Sequence, residues 1–230
     1  MPIYKGNTKV VKLYKGSTQI VKRYKGNDLI YNASRLPAEF QEVEYLESQS
    51  SGPYINTGYV CLSNNQKIIL DFENIYNYGN GVFGSQSSSA RSGILWKVGN
   101  NIQFGIGNQS AGTIIGSFNL NIKYRFEYES TSNTYSCKLD NTYLKENASY
   151  QGSNITNLPI FLFASNYQGS PENPAAVRIY SCQIYDNNIL VRNFVPCYRK
   201  ADNVAGLYDL VNGVFYTNAG SSSFVIGGNI

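Results

Sequence analysis

The chain has 230 residues, 42% of them hydrophobic and 15% charged, with a net charge of +4. That balance excludes a disordered chain, and the length suffices for one large core plus a small appendage. Histidine is absent, which removes His-based acid–base work, Ser-His and Cys-His nucleophile pairs and most zinc sites.

The first 31 residues repeat every ten positions. Tyr4-Lys5-Gly6-Asn7-Thr8 returns as Tyr14-Lys15-Gly16-Ser17-Thr18 and again as Tyr24-Lys25-Gly26-Asn27-Asp28. Gly followed by Asn or Ser is a turn signal and the β-branched runs between are strand-like, so a small antiparallel meander is expected. Val10, Lys12 and Tyr14 share one face of their strand and Lys9, Val11 and Leu13 the other; neither face is cleanly apolar. A segment of about 30 residues holds no core of its own, so it must pack on copies of itself or on a partner.

Charge points the same way. Residues 1–31 hold seven Lys or Arg against one acid, a balance of +6, so the other 199 residues carry −2. Docking onto an acidic protein surface is the favoured use, ahead of blunting exposed strand edges. Nucleic acid is not expected as a partner, because Lys-Gly turns with one Tyr each match no reading module. The residues expected to anchor or oligomerise the chain are Tyr4, Lys5, Gly6, Lys12, Leu13, Tyr14, Lys15, Gly16, Lys22, Arg23, Tyr24, Lys25 and Gly26.

Residues 32–41 break the repeat and connect it to a long series of short strands: Asp71–Phe72, Ile94–Val98, Ile102–Ile106, Lys123–Glu129, Tyr135–Leu139 and Ile160–Phe163. The clearest hairpin joins Arg178–Tyr185 to Ile189–Val195 through Asp186-Asn187-Asn188. With a two-residue turn, Tyr180, Cys182 and Ile184 face the same way as Val191 and Val195. No amphipathic helix is expected, and strands without helices define an all-β sandwich or barrel. The expected architecture is a β-repeat meander over 1–33 followed by a β-sandwich over 34–230.

The same register sets Cys182 opposite Asn193 and Cys197 roughly 13 Å further along. That is beyond disulfide reach, so Cys61, Cys137, Cys182 and Cys197 are expected as free thiols. No stretch approaches the roughly 20 apolar residues of a membrane span, and residues 1–9 lack a secretory apolar core. The product is expected to stay soluble where it is made, without a membrane partner.

From about Leu36 to the end the sequence resembles the concanavalin A-like, laminin-G-type jelly roll of tailed-bacteriophage structural proteins. The opening block is Leu36-Pro37-Ala38-Glu39-Phe40-Gln41-Glu42-Val43-Glu44-Tyr45-Leu46-Glu47, then Tyr54-Ile55-Asn56-Thr57-Gly58-Tyr59. The closing block runs from Arg178 to Asp186 and from Val191 to Cys197, then from Gly206 to Asn218. Asn56 stands where the family commonly has Asp. The resemblance implies a virion surface protein, assembled in the host cytoplasm: a head fibre or capsid decoration, since no long shaft is present. A tail fibre or tail accessory, or a bacterial surface lectin-like module, are the alternatives. It further implies capsid or tail proteins as partners, a homo-oligomer (dimer or trimer), and host or mucosal glycan as the ligand of the knob.

Glu42-Val43-Glu44-Tyr45-Leu46-Glu47 approaches the Glu-x-Asp-x-x-Glu pattern of jelly-roll hydrolases. On one strand, Glu42 and Glu44 would sit about 7 Å apart on the same face. The non-enzymatic family carries the same acids, so no enzymatic activity and no catalytic residue is expected. Asp140-Asn141, Asp186-Asn187-Asn188 and Asp202-Asn203 are calcium-like Asx pairs, but turn formation accounts for them, and no metal or cofactor is expected. Trp96, inside Ile94-Leu95-Trp96-Lys97-Val98, is expected in the core.

Overall fold

The computed structural model describes residues 4–5, 8–9, 13–15, 18–20, 22–25, 28–32, 35–49, 52–76, 80–108 and 112–230; side chains are described from residue 35 onward, Asn80 excepted. The chain divides into two compact units, Met1–Glu39 and Phe40–Ile230.

In the first unit, β1 (Tyr4–Lys5) pairs with β2 (Thr8–Lys9), β3 (Leu13–Lys15) with β4 (Thr18–Ile20), and β5 (Lys22–Lys25) with β6 (Asp28–Asn32). Each pair is an antiparallel ladder that brackets a Gly-Asn or Gly-Ser step: Lys5 faces Thr8, Lys15 faces Thr18 and Lys25 faces Asp28. Gly6, Lys12, Gly16 and Gly26, and the turns expected there, lie outside the described residues. Among the described residues, no strand of one ladder pairs with the next.

The second unit is all-β and builds two sheets. The larger has eleven strands. Its members are β7 (Phe40–Glu42), β8 (Leu46–Ser48), β10 (Gln66–Asn74), β15 (Lys123–Ser130), β16 (Thr134–Leu139), β17 (Thr142–Ser149), β21 (Val177–Asp186), β22 (Ile189–Arg199), β23 (Val204–Asp209), β24 (Val214–Thr217) and β25 (Val225–Ile226). Its main order is β17-β16-β15-β10-β21-β22-β23-β24, with β7 on β22, and β8 on β21 and β25. The smaller, eight-stranded sheet holds β9 (Ile55–Val60), β11 (Asn80–Gln86), β12 (Arg91–Val98), β13 (Asn101–Gly107), β14 (Thr113–Ser117), β18 (Pro159–Leu162), β19 (Ser165–Tyr167) and β20 (Ser170–Glu172). All six single strands expected from sequence are present. Only Phe163 falls outside, because its φ of 67° turns the chain after β18.

Alternation explains the layering. In β15, Phe126 and Tyr128 point inward while Arg125, Glu127 and Glu129 point outward. The core between the sheets includes the fully buried Phe72, Phe83, Phe104, Phe126, Phe163 and Phe194. Phe104 stacks on Tyr135 at 5.5 Å and lies 4.8 Å from Tyr128. Each such ring removed from water contributes about 1.5–3 kcal/mol.

The β21–β22 hairpin turns at Asn187-Asn188 as expected, with φ of 51° and 64° and Asp186 facing Ile189; positive φ at both central positions is the type I′ signature. Two bulges alter the expected faces. One between Ile184 and Tyr185 sets Cys182 opposite Phe194 rather than Asn193. Another against Asp71/Phe72 puts both Ile179 and Cys182 inside, so Tyr180 turns outward instead of sharing their face. All four cysteines are buried free thiols.

Candidate functional site

Strand pairing turns the outward alternation of the larger sheet into a grid of polar side chains. One row across the strands reads Ser136, Glu129, Lys67, Tyr185 and Leu190. The next reads Tyr143, Lys138, Glu127, Ile69, Gln183 and Asn193. A third has Arg125, Asp71 and Ser181, and a fourth Lys123, Glu73, Arg178 and Glu47. The acids and bases of this grid interleave, so no single-sign field dominates.

The rows differ in what their charges do. In the fourth, Arg178 donates to Glu47 at 2.6 Å and to Glu73 at 2.9 Å, while Tyr180 donates to the other Glu73 oxygen at 2.5 Å. The glutamate side chains are 7% and 8% exposed, and Arg178 also lies 4.7 Å over the Tyr45 ring. Burial and the Glu73 bond push the Tyr180 hydroxyl up. This row is structural. In the first row, by contrast, Lys67 and Glu129 meet at 3.8 Å with side chains 36% and 52% exposed, a pair worth at most about 1 kcal/mol. Lys138 lies 4.5 Å over the exposed Tyr143 ring, and Gln183 accepts from Tyr185 at 3.3 Å. Such weak contacts exchange readily for a ligand's hydroxyls.

The exposed rows run into a cleft of about 300 Å³ at the sheet's end. Asn65, Thr131, Thr134, Asn147 and Asn188 line it, together with Lys67, Glu129 and Ser136 of the grid. One wall is fixed from below. Asp186, which closes the hairpin beside Asn188, accepts hydrogen bonds from Tyr59 and Ser63 and from the Leu62 amide at 2.7 Å. Burial opposes its ionisation, but the bonds from Ser63, Tyr59 and the backbone outweigh it and hold its carboxyl below the usual range.

The acidic motif comes out differently from its expectation. Glu42 ends β7 and is buried, whereas Glu44 lies outside any strand, exposed, with its amide on Gly228 O at 2.9 Å. The two do not share a strand face, because the chain bends at the Val43–Asn229 bridge. The Asx pairs serve turns: Asp140 accepts from the Arg125 amide at 2.8 Å and Asp202 pairs with Arg199 at 2.6 Å. Asn56 caps its own turn by accepting from the Gly58 amide at 3.0 Å, so a neutral side chain suffices there. Trp96 is corrected outright. It is half-buried on the outer face of the smaller sheet, while its neighbour Lys97 points inward and is fully buried, donating to Asn74 and to the Tyr76 carbonyl.

No family model matches the sequence, and no curated protein matches it. Solved structures do match in fold. The chain is similar to a native heptameric SAP-like pentraxin from Limulus polyphemus at 6% identity and a TM-score of 0.52, covering 82% of this chain and 94% of that one. It is similar to a putative carbohydrate binding protein from Bacteroides ovatus at 9% identity and a TM-score of 0.52, covering 87% and 62%. A Trypanosoma rangeli sialidase in complex with sialic acid shares 12% identity and a TM-score of 0.50 over 70% of this chain and 32% of its own. The chain thus spans about a third of the sialidase's length. The second unit has a concanavalin A-like jelly-roll β-sandwich fold. These likenesses also overturn the expectation of a protein without enzymatic activity: a glycan enzyme carries the same sandwich, so the fold admits enzymes as well as binders.

Proposed function

We propose that residues 40–230 form a glycan-binding module and that the basic repeat attaches it to a larger assembly. The observation that carries the reading is the exposed half of the grid: interleaved donors and acceptors flanked by Tyr143 and Tyr185 and opening into a polar cleft. A polyhydroxyl ligand needs many hydrogen-bonding groups of both kinds and an apolar ring face to lie on. The shared fold with a chain described as a putative carbohydrate binding protein supports the same reading. Binding is to be measured by affinity electrophoresis of the full chain through gels containing single polysaccharides. Retardation should be lost in a Glu127→Ala, Lys138→Ala, Gln183→Ala variant that melts like the parent; retention of binding in that variant would place the site elsewhere.

The finer assignment is a phage virion surface protein, a head fibre or capsid decoration, displayed as a homo-oligomer. What supports it is the residue-level resemblance of the opening and closing blocks together with the ten-residue basic repeat. Imaging of purified particles carrying a C-terminal label tests it. Label on cell envelopes, with none on particles, would favour a bacterial surface module instead.

A further inference from the structure

We propose that Lys97 and Asn74 are the two halves of an intramolecular isopeptide bond, a covalent tie that the folded chain makes between its own two sheets. Inward alternation carries both residues there. On β10 of the larger sheet, Leu70, Phe72 and Asn74 turn to the core; on β12 of the smaller sheet, Leu95 and Lys97 do. Both polar side chains are 0% exposed. The Lys97 Nζ donates to Asn74 Oδ1 and to the Tyr76 carbonyl, so an amine meets a carboxamide across the sandwich.

The pair carries two unfavourable features, and one bond removes both. The first is charge. A buried ammonium is costly without a carboxylate beside it, and among the described residues no acid pairs with Lys97. Glu73, next to Asn74 in sequence, points to the outer face, where Arg178 and Tyr180 hold it. The second is Asn74 Nδ2, which is buried and finds no hydrogen-bond partner among the described residues. An amide between Nζ and Cγ is neutral, keeps Oδ1, retains one N–H for the Tyr76 carbonyl and expels Nδ2.

The chemistry balances without a co-reactant. Once deprotonated, Nζ has two N–H groups for the two oxygens it already touches, and its lone pair is free. That lone pair attacks Cγ and forms the new C–N bond. The bond from Cγ to Nδ2 breaks, and its electron pair leaves with the nitrogen. One amine proton passes to Nδ2, so ammonia departs and the other proton stays on the new amide. Burial, which lowers Lys97 to about 8, raises the share of neutral amine near physiological pH. Orientation supplies the rest, since well-held intramolecular pairs reach effective molarities of about 10⁵–10⁸ M. With no described carboxylate to shuttle protons, the bond follows folding slowly, and until it forms Lys97 titrates as a buried amine.

Intact-mass spectrometry tests this on the full chain, kept folded at about pH 7 and about pH 9 and sampled over days. The expected result is a species lighter by one ammonia molecule, accumulating roughly tenfold faster at the higher pH, as the neutral share of an amine near pH 8 requires. The chain held unfolded in urea should not form it. Proteolysis should then release one branched peptide that contains both Asn74 and Lys97, and neither Lys97→Arg nor Asn74→Ala should give it. The aged, linked chain should unfold at higher urea than the fresh one, because a cross-link between residues 23 apart restricts the unfolded state. A wild-type mass that stays unchanged at both pH values overturns the proposal, whatever the variants do. So does a loss of ammonia confined to a linear Asn74 peptide, which would be a cyclic imide at that asparagine, or a loss that persists in Lys97→Arg.

Discussion

Buried ionisable side chains set how the sandwich answers to alkali. Burial pushes the thiols of Cys61, Cys137, Cys182 and Cys197 up, so the folded chain keeps four protons that the unfolded chain releases above pH ~8.5. Lys97 does the reverse: burial lowers it to about 8, so between pH 8 and about 10.4 the unfolded chain binds one proton more. The thiols win. The raised hydroxyls of Tyr59, Tyr128, Tyr135, Tyr150 and Tyr180 act in the same direction, so stability should fall as pH rises through 9 to 10, as urea melts across that range would measure. A Lys97→Met variant should fall more steeply still; a stability that rises through pH 9 would contradict the thiol burial. Arg178→Ala should cost about 2–3 kcal/mol, because it strands Glu47 and Glu73, discounted for the part of Arg178 that water reaches. At this scale the sequence was readable by alternation alone. Lys123-Tyr124-Arg125-Phe126-Glu127-Tyr128-Glu129 separates charge from aromatic rings as the structure does. The run Ile94–Val98 misled, since an apolar stretch gives no sign of which of Trp96 and Lys97 faces in.

Elements depart from ideal ladders at their bulges, and the glycines there carry the cost. Gly93 lies in the irregular stretch of β12 between Arg91 and Ile94, at φ +60°, and a Cβ on it would lie 2.5 Å from the buried Tyr128 ring. Gly93→Ala should therefore destabilise by about 3 kcal/mol, from left-handed strain and from overpacking together, in a denaturant melt. An effect below 1 kcal/mol would mean that the two sheets can part there at little cost. At the other extreme, Asn188→Gly in the type I′ turn should be neutral to slightly stabilising, within ~1 kcal/mol, while removing one cleft side chain. Strands were visible in the sequence because hydrophobic alternation and turn residues are local signals. Bulges were not, for a single inserted residue leaves composition and period almost untouched. The grid was hidden for another reason: β10 lies between β15 and β21, more than fifty and one hundred residues away, and no local pattern announces which charges will stand side by side.

At the scale of the whole molecule, the two units invite separation. Each described front ladder pairs two successive strands, and the sandwich holds its own core. Removal of residues 1–33 should leave a soluble sandwich with a cooperative melt and should abolish assembly onto particles or into oligomers, as sedimentation of the truncated and full chains would measure. Wild-type occupancy of the truncated chain would transfer the docking role to the sandwich. Charge reversal at Lys5, Lys15 and Lys25 should weaken attachment more at low salt than at high, since exposed charges are screened beyond ~10 Å at 0.1 M ionic strength.

The two ends of the sandwich meet. Gln41 donates through Nε2 to Ile230 O at 3.2 Å, the Ile230 amide bonds Glu42 O at 3.2 Å, and β25 pairs with β8 near the first strand. Topologically, residues 41–230 form a nearly closed ring cut at one place. A short linker from Ile230 to Gln41 should therefore permit new ends at the exposed Asp140-Asn141 turn with the same sheets formed. The position of the cut is then a choice about which loops a fusion partner emerges beside, and the fold itself does not dictate it.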